Sequence, residues 1–170
     1  MAKILILNGS PHLEGYVSAM IETFKSGLAK NSNEVVQYNL AFMNIHDSIG
    51  ENYPIHDDME KISKSLEETD YVIFASPLYY FSYSGYLKCT IDRFQTLSNI
   101  DNKKLLCFVS AGSNDETIIQ PLKGQSQLIA NHLKWDLLDF LYIKGCKKPT
   151  NIQEHISELE RFYQAGLKIK

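Results

Sequence analysis

The first strand-like run of the chain is Lys3-Ile4-Leu5-Ile6-Leu7-Asn8, and Gly9-Ser10 follows it. Its four consecutive apolar residues, 4–7, are typical of a β-strand buried on both faces, as central strands of parallel sheets are. Gly9 ends the run, and apolar residues then recur at helical spacing over residues 17–28. A buried strand, a short turn and an amphipathic helix indicate the first unit of an α/β domain.

The same unit recurs to the end of the chain. Further strands are predicted over residues 34–40, 71–75, 105–109 and 137–143. Further helices are predicted from Asp57 onward and over residues 84–97, 118–133 and 152–163. Five such units joined by right-handed crossovers predict a three-layer, doubly wound, five-stranded parallel sheet. The expected strand order is 2-1-3-4-5, flavodoxin-like, in one domain over residues 1–170, with the polar second strand at an edge.

Composition narrows the classes of function. The 170 residues include 17 basic and 20 acidic side chains, a net charge of -3, so no nucleic-acid partner is expected. There is no run of 18 apolar residues and no signal-peptide pattern at the start. We therefore expect a cytoplasmic protein with no membrane partner.

The three cysteines, Cys89, Cys107 and Cys146, form no CxxC motif, which argues against a zinc site or a thioredoxin-type redox pair. Cys89 and Cys107 lie in apolar periodic segments and are expected to be small buried residues. Cys146 lies in a predicted loop and is expected to be exposed.

The predicted strand order indicates where a ligand would bind. In a 2-1-3-4-5 sheet the order reverses between strands 1 and 3, and ligands bind there, outside the carboxyl ends of the strands. The loops after strands 1, 3 and 4 should therefore carry the function. These loops are residues 9–17, 76–83 and 110–117.

The first loop combines two glycines, Gly9 and Gly15, with hydroxyls and a helix start. Glycines permit unusual backbone conformations, and a helix N-terminus offers free amides to a phosphate. The loop lacks the lysine of a triphosphate-binding loop and is not a GxGxxG fingerprint. A monophosphate fits this loop, although an ordinary strand-to-helix turn would also use glycine and serine.

The loop after strand 3, which we call the third loop, carries Tyr79, Tyr80, Phe81 and Tyr83, four aromatic residues in five positions. Such an apolar surface needs a cover, which a flat ring, a neighbouring helix or a partner subunit would provide. The small residues Ser110 to Gly112 of the loop after strand 4, which we call the fourth loop, would let a ligand approach the backbone.

Two segments resemble the NADPH-dependent FMN reductase family. Asn8-Gly9-Ser10-Pro11-His12 with Gly15 is similar to its GSPR-x-x-G phosphate loop. Ser76-Pro77-Leu78-Tyr79, followed by Leu87-Lys88 and Ile91-Asp92-Arg93, is similar to its SP-x-Y…LK-x-x-IDR segment. The resemblance implies bound FMN, NAD(P)H as co-substrate, a homodimer or homotetramer, and ping-pong hydride transfer to flavin, quinone or a similar small acceptor.

The resemblance also implies roles for particular residues. Asp92 and Arg93 would brace their helix by ion pairing. The residues expected around the FMN phosphate are Ser10, His12, Tyr16, Val17 and Ser18. Those expected along the isoalloxazine ring are Pro77, Leu78, Tyr79, Tyr80 and Phe81 on one side and Ser110, Ala111 and Gly112 on the other.

The chain departs from the family pattern in its phosphate loop. His12 stands where the family usually has arginine, which removes a permanent charge. Tyr16 and Val17 stand where it often has asparagine and threonine. Residues 41–58 contain no cysteine, so the iron–sulfur centre of one branch is not expected. A metal site is not predicted there either, because Asp57 and Asp58 already serve to cap a helix, although His46 and His56 lie in the same stretch.

Two other functions fit the same fold. A flavodoxin-type electron carrier would use the same cofactor, but such carriers are usually strongly acidic, and the net charge here is mild. A degenerate family member that binds FMN weakly or not at all would account for His12 and Val17. A hydrolase is not predicted, because there is no Ser-His-Asp arrangement and no GxSxG elbow.

Overall fold

The computed structural model describes residues 1–47 and 56–170. Its strands are β1 (Lys3–Asn8), β2 (Glu34–Asn39), β3 (Tyr71–Pro77), β4 (Lys104–Ser110) and β5 (Asp136–Ile143). Its α-helices are α1 (Tyr16–Leu28), α2 (Met59–Glu68), α3 (Gly85–Asp92), α4 (Gln120–Leu133) and α5 (Ile156–Leu167). No helix in the described ranges is long and apolar enough to cross a bilayer.

The five strands form one parallel sheet in the order β2-β1-β3-β4-β5, which confirms the predicted fold class. Residues 4–8 of β1 are buried, as the unbroken apolar run predicts. In β2 no residue is fully buried, in agreement with its predicted edge position. Edge strands tolerate polar side chains because one side of the strand has no neighbour.

The sheet separates two apolar cores, which gives the three layers. Side chains alternate between the faces of a strand, so Leu5 and Leu7 point to one core and Ile4 and Ile6 to the other. The first core is closed by α2, α3 and α4, and the second by α1 and α5. Helices α1 and α5 touch at Gly27 and Gly166, where a Cβ atom would collide with backbone of the facing helix.

The helix boundaries differ from the predicted ones mainly at 3₁₀ turns. The last helix, predicted over residues 152–163, is α5 and follows a 3₁₀ turn over Pro149–His155. The helix predicted over residues 84–97 is an α-helix only to Asp92 and continues as a 3₁₀ turn over Arg93–Thr96. The helix predicted from residue 118 begins as a 3₁₀ turn, Glu116–Ile119, before α4. Pro121 lies in the first turn of α4, where its missing N–H costs no hydrogen bond. Tight 3₁₀ turns at helix ends share the apolar periodicity of the α-helix, so the pattern does not separate them.

An ion pair braces the end of α3, as expected for Arg93. Its guanidinium lies 2.7 Å from a carboxylate oxygen of Asp57, whose side chain is fully buried. Asp57 also accepts the amides of His46 and Met59 at 3.0 Å each. Burial would raise the pKa of Asp57, but these hydrogen bonds together hold the pKa below its ordinary value.

The capping prediction at the start of α2 is confirmed for Asp57, which accepts the amide of Met59, the first residue of the helix, and is wrong for Asp58. Asp58 holds the N-cap position, but its side chain accepts no amide of the helix. It accepts the Asn44 amide at 2.8 Å and pairs with Lys61 at 2.6 Å instead. Within residues 1–47 and 56–170, no three His, Cys, Asp or Glu side chains are grouped to hold a metal ion.

Candidate functional site

The loops after β1, β3 and β4 meet around one cleft of about 370 Å³. Ser10, Tyr79 and Gly112, one from each loop, all line it. The predicted convergence of these three loops is therefore confirmed. The lining residues are Ser10, His12, Glu14, Gly15, Tyr16, Val17, Pro77, Leu78, Tyr79, Ser110, Gly112, Cys146 and Lys147.

Hydrogen bonds between neighbouring loops hold the cleft together. The Ser84 hydroxyl, at the N-cap of α3, donates to the Gly9 carbonyl at 2.6 Å. The Leu78 amide donates to the Ser110 carbonyl at 2.8 Å and links the third loop to the fourth. These two bonds join the loop after β3 to the loops after β1 and β4.

The first loop is shaped by its own polar side chains. The side chain of Asn8 accepts the Ser10 amide at 3.0 Å, and the Ser10 hydroxyl accepts the His12 amide at 3.2 Å. The Ser18 hydroxyl donates to the His12 carbonyl at 3.4 Å and does not line the cleft. Ser10 and Ser18 thus stabilise the turn, and of these two only Ser10 faces the cleft.

The N-terminus of α1 faces the cleft without a side-chain cap. Gly15 is its N-cap residue, and the first turn contains no acidic residue. The amides of the first turn therefore have no partner within the helix and carry its partial positive charge. Glu14, just before the helix, also lines the cleft and opposes this charge.

Tyr16, the first residue of α1, carries a buried hydroxyl that lacks a partner in the described part of the chain. The residue lines the cleft and is only 6% exposed, yet its hydroxyl has no hydrogen-bond partner among the described residues. Burial raises the pKa of Tyr16, and the nearby Cys146 and Glu154 raise it further. A buried hydroxyl without a partner costs free energy. Because the oxygen itself is shielded from solvent, a ligand in the cleft does not reach it in this conformation.

The two glycines of the first loop have different roles, and one differs from the prediction. Gly15 has φ 168°, an extended conformation that any residue can adopt, so the backbone does not require glycine at this position. At Gly9 a Cβ atom would lie 2.6 Å from Ser84 Oγ and 2.7 Å from Leu87 Cβ. Glycine is needed at position 9 because α3 packs directly against the loop.

The aromatic residues of the third loop separate. Tyr79 lines the cleft with Pro77 and Leu78. Tyr80 and Phe81 form the tip of a two-residue hairpin closed by mutual 3.0 Å backbone hydrogen bonds between Tyr79 and Ser82. They are 97% and 56% exposed and do not line the cleft, unlike the expectation for both residues. Two-residue hairpins turn sharply, so their central side chains point outward.

Tyr83 lies inside the protein. Its hydroxyl is 2.6 Å from the Ser126 hydroxyl on α4 and donates to Cys107 Sγ at 3.2 Å. Cys107 is buried, as predicted, and Cys89 is half-buried. A flat ring, a neighbouring helix and a partner subunit are the three possible covers for the aromatic side chains of the third loop. For Tyr83 the cover is the neighbouring helix α4.

The fourth loop contributes Ser110 and Gly112 to the cleft, but not Ala111. The Ala111 amide donates to the Ile143 carbonyl at 2.9 Å, and its carbonyl accepts the Cys146 amide at 2.9 Å. Ala111 is therefore buried behind the wall and ties the fourth loop to the segment after β5.

Cys146 and Lys147, which follow β5, also line the cleft, although neither was predicted as a site residue. The strand order points to the loops after β1, β3 and β4, so it gave no reason to include this segment. Cys146 is half-buried rather than exposed as expected, and its thiol donates to the Ile143 carbonyl at 3.4 Å. Burial raises the pKa of Cys146 to about 12.

Two curated relatives share part of the sequence. An iron–sulfur flavoprotein of Methanocaldococcus jannaschii is 30% identical over 102 residues, which are 56% of this chain and 53% of that protein. An NAD(P)H:quinone oxidoreductase of Solanum tuberosum is 33% identical over 99 residues, 58% of this chain and 50% of that protein. The chain thus spans about half the length of the curated relatives it matches.

A solved structure shares the fold over the whole length. The NAD(P)H:quinone oxidoreductase from Methanothermobacter marburgensis superposes with a TM-score of 0.79 at 19% identity, covering 98% of this chain and 94% of that one. The family model described as NADPH-dependent FMN reductase matches residues 2–139. That match takes in β1 to β4 and the loops that meet at the cleft, and the chain belongs to the NADPH-dependent FMN reductase family.

Proposed function

We propose that the chain is an FMN-dependent NAD(P)H oxidoreductase that reduces flavin, quinone or a similar small acceptor. The observation that carries this proposal is the meeting of the loops after β1, β3 and β4 around one cleft, with the N-terminus of α1 in its wall. Its volume of about 370 Å³ lies within the usual range of ligand pockets, roughly 300–1,000 Å³.

The residues at the α1 end fit a phosphate. The amides of the first helical turn have no partner within the helix. A phosphate accepts hydrogen bonds from such amides and is favoured by the helix dipole. In this proposal Ser10, His12, Tyr16 and Val17 surround the phosphate, Val17 through its amide only.

The loops after β3 and β4 fit a flat, largely apolar ring. Pro77, Leu78 and Tyr79 provide apolar surface in the cleft. Ser110, which pairs with Pro77 across the two strands, and Gly112 are small enough to let a ring approach the backbone. In this proposal Tyr80, Phe81, Ser18 and Ala111 support the site from outside the cleft.

The chain's part in the reaction is to bind, orient and shield. When bound, FMN supplies the hydride chemistry, so no side chain needs to act as a covalent nucleophile. Cys146 would remain protonated at neutral pH, because its pKa is about 12. The donors at the phosphate end fix the position of the ring against Pro77 and Tyr79.

The names of two relatives bear on the electron acceptor and on the cofactors of this chain. The relative from Solanum tuberosum is named as an NAD(P)H:quinone oxidoreductase, which supports a quinone as acceptor. The relative from Methanocaldococcus jannaschii is named as an iron–sulfur flavoprotein. We propose no iron–sulfur cluster for this chain, because its three cysteines are far apart in sequence and residues 41–58 contain no cysteine.

The proposal includes three broader features. The FMN-binding domain comprises residues 1–170. The protein is a homodimer or homotetramer, since Tyr80 and Phe81 offer apolar surface that a second copy would cover. It is cytoplasmic, which suits three cysteines that form no disulfide.

A visible spectrum of the purified protein, recorded before and after FMN and then NADPH are added without oxygen, tests the proposal. We expect FMN uptake and rapid bleaching by NADPH. Gly112→Leu, which fills the cleft, should abolish uptake, whereas Gly124→Leu on the exposed face of α4 should not.

Two outcomes would contradict the proposal and separate its rivals. FMN uptake without bleaching by NADPH or NADH would point to an electron carrier. A protein that takes up no FMN would be a degenerate family member.

A further inference from the structure

The proposed phosphate site is poor in positive charge. Residues 9–18 contain neither lysine nor arginine, and His12 is not permanently charged as an arginine would be. A helix N-terminus is equivalent to about half a positive charge, whereas a phosphate monoester carries about −1.5 to −2 at neutral pH. Glu14 adds a negative charge to the same wall. A cation from elsewhere in the fold would balance the remaining charge of the ligand.

Lys147 is the lysine that lines this cleft among the described residues. Lys147 and its neighbour Cys146 line the cleft together with residues 15–17 at the start of α1. The segment after β5 therefore reaches the phosphate end of the cleft. Lys147 forms no ion pair with another described side chain, whereas Lys144 is paired with Glu116 at 3.4 Å.

The backbone around Lys147 is held in place. The Gly145 amide donates to the Ser113 carbonyl at 3.1 Å, and the Lys147 amide donates to the Gly145 carbonyl at 2.8 Å. Gly145 has φ +70°, and a Cβ atom there would lie 2.5 Å from Asn114 Oδ1, so the tight turn requires glycine. A fixed turn lowers the entropy lost when the lysine engages a ligand.

We propose that Lys147 binds the phosphate of FMN and supplies the positive charge that residues 9–18 lack. This inference rests on the proposed function, because it takes FMN as the ligand of the cleft. It assigns a binding role to the loop after β5. It also predicts that the chain distinguishes FMN from riboflavin, which has the same ring but no phosphate.

Dissociation constants for FMN and riboflavin, measured by flavin fluorescence at low and high salt, test this role. Lys147→Gln should weaken FMN binding about fivefold at low salt and less at high salt, because an exposed charge pair is screened. Riboflavin binding should not change. Lys147→Arg should restore FMN binding, and Lys148→Gln serves as the matched control, since Lys148 is exposed and does not line the cleft.

Two results would overturn the assignment while leaving FMN as the cofactor. One is unchanged FMN affinity in Lys147→Gln, and the other is an equal loss for FMN and riboflavin, which would mean a general disturbance of the cleft. If the unaltered protein binds neither flavin, the proposed function and the role of Lys147 both fail. Circular dichroism of each variant shows whether it is folded.

Discussion

The hydroxyl of Ser84 donates a 2.6 Å hydrogen bond to the carbonyl of Gly9. The two residues are 75 positions apart, one before α3 and the other directly after β1. Ser84 Oγ also accepts the Leu87 amide at 3.4 Å and so caps α3. This contact joins the first loop of the cleft to the third and depends on the small size of residue 9.

Gly9→Ala is expected to destabilise the protein by about 1–3 kcal/mol, the usual cost of overpacking. The added Cβ would lie 2.6 Å from Ser84 Oγ and 2.7 Å from Leu87 Cβ. Gly15→Ala is the matched control, because its Cβ would meet only His12 Cβ at 3.9 Å. Its cost should be about 0.5 kcal/mol, measured for both variants by urea unfolding. Equal stability of the two variants would contradict the packing at Gly9.

Asp57→Asn should cost about 3 kcal/mol at pH 7, because it leaves the buried Arg93 guanidinium without its counter-charge. The pKa of Asp57 is lowered in the folded state, so the ionised carboxylate stabilises the fold above its ordinary pKa of 3.8. That stabilisation is lost as the pH falls through the lower, folded-state pKa. The difference between the variant and the unaltered protein should therefore shrink below about pH 4.

Urea unfolding at several pH values measures this difference. Asp101→Asn, at an exposed position, is the control and should change stability by less than about 0.5 kcal/mol. A constant difference between pH 7 and pH 3 would show that Asp57 does not act through its charge.

Tyr80 and Phe81 have φ values of 46° and 65°. The left-handed region costs non-glycine residues roughly 1–2 kcal/mol each, and such hairpins prefer Asn-Gly. The double substitution Tyr80→Asn and Phe81→Gly should therefore raise the free energy of unfolding by about 1–2 kcal/mol, seen as a Tm increase of roughly 3–6 °C.

Tyr80→Ala with Phe81→Ala provides the control for that experiment. It removes the same two rings but leaves non-glycine residues at both positive φ angles. If this variant gained as much stability as the Asn-Gly variant, the gain would come from removing exposed rings and the strain argument would be wrong.

Cys107 and Cys146 should resist alkylation in the folded protein, because burial raises the pKa of each thiol to about 12. Reagents attack the thiolate, so at pH 8 labelling should be at least about a hundredfold slower than for a free cysteine. Mass spectrometry of iodoacetamide-treated Cys89→Ser protein measures this, with urea-unfolded protein as control. Labelling of Cys146 at the unfolded rate would contradict its burial in the cleft wall.

The strand order and the position of the cleft could be predicted because they depend on repeated, local patterns. Unbroken apolar runs such as residues 4–7 and 71–75 indicate parallel strands buried on both faces, and crossover handedness then leaves few topologies. Helix ends were less predictable, since the 3₁₀ turn at Arg93–Thr96 continues the apolar spacing of α3.

The exact lining of the cleft could not be predicted in the same way. Four aromatic residues in sequence looked alike, but the hairpin turns Tyr80 and Phe81 outward while Tyr83 packs under α4. Lys147 was missed because it follows the outermost strand and reaches the cleft through the hydrogen bonds of the Gly145 turn.

The order of residues along the chain was enough to establish the α/β fold, the family pattern and the three loops that meet at the sheet edge. The fold and the position of the loops follow from short-range periodicity and from the chirality of strand connections, whereas the family pattern rests on the resemblance of two motifs. Which side chains face the cleft depends on contacts between residues far apart in sequence, such as Gly9 with Ser84 and Ala111 with Cys146. Such contacts form only when the layers of the fold pack together, so they cannot be predicted from the pattern of residues within one helix, strand or loop.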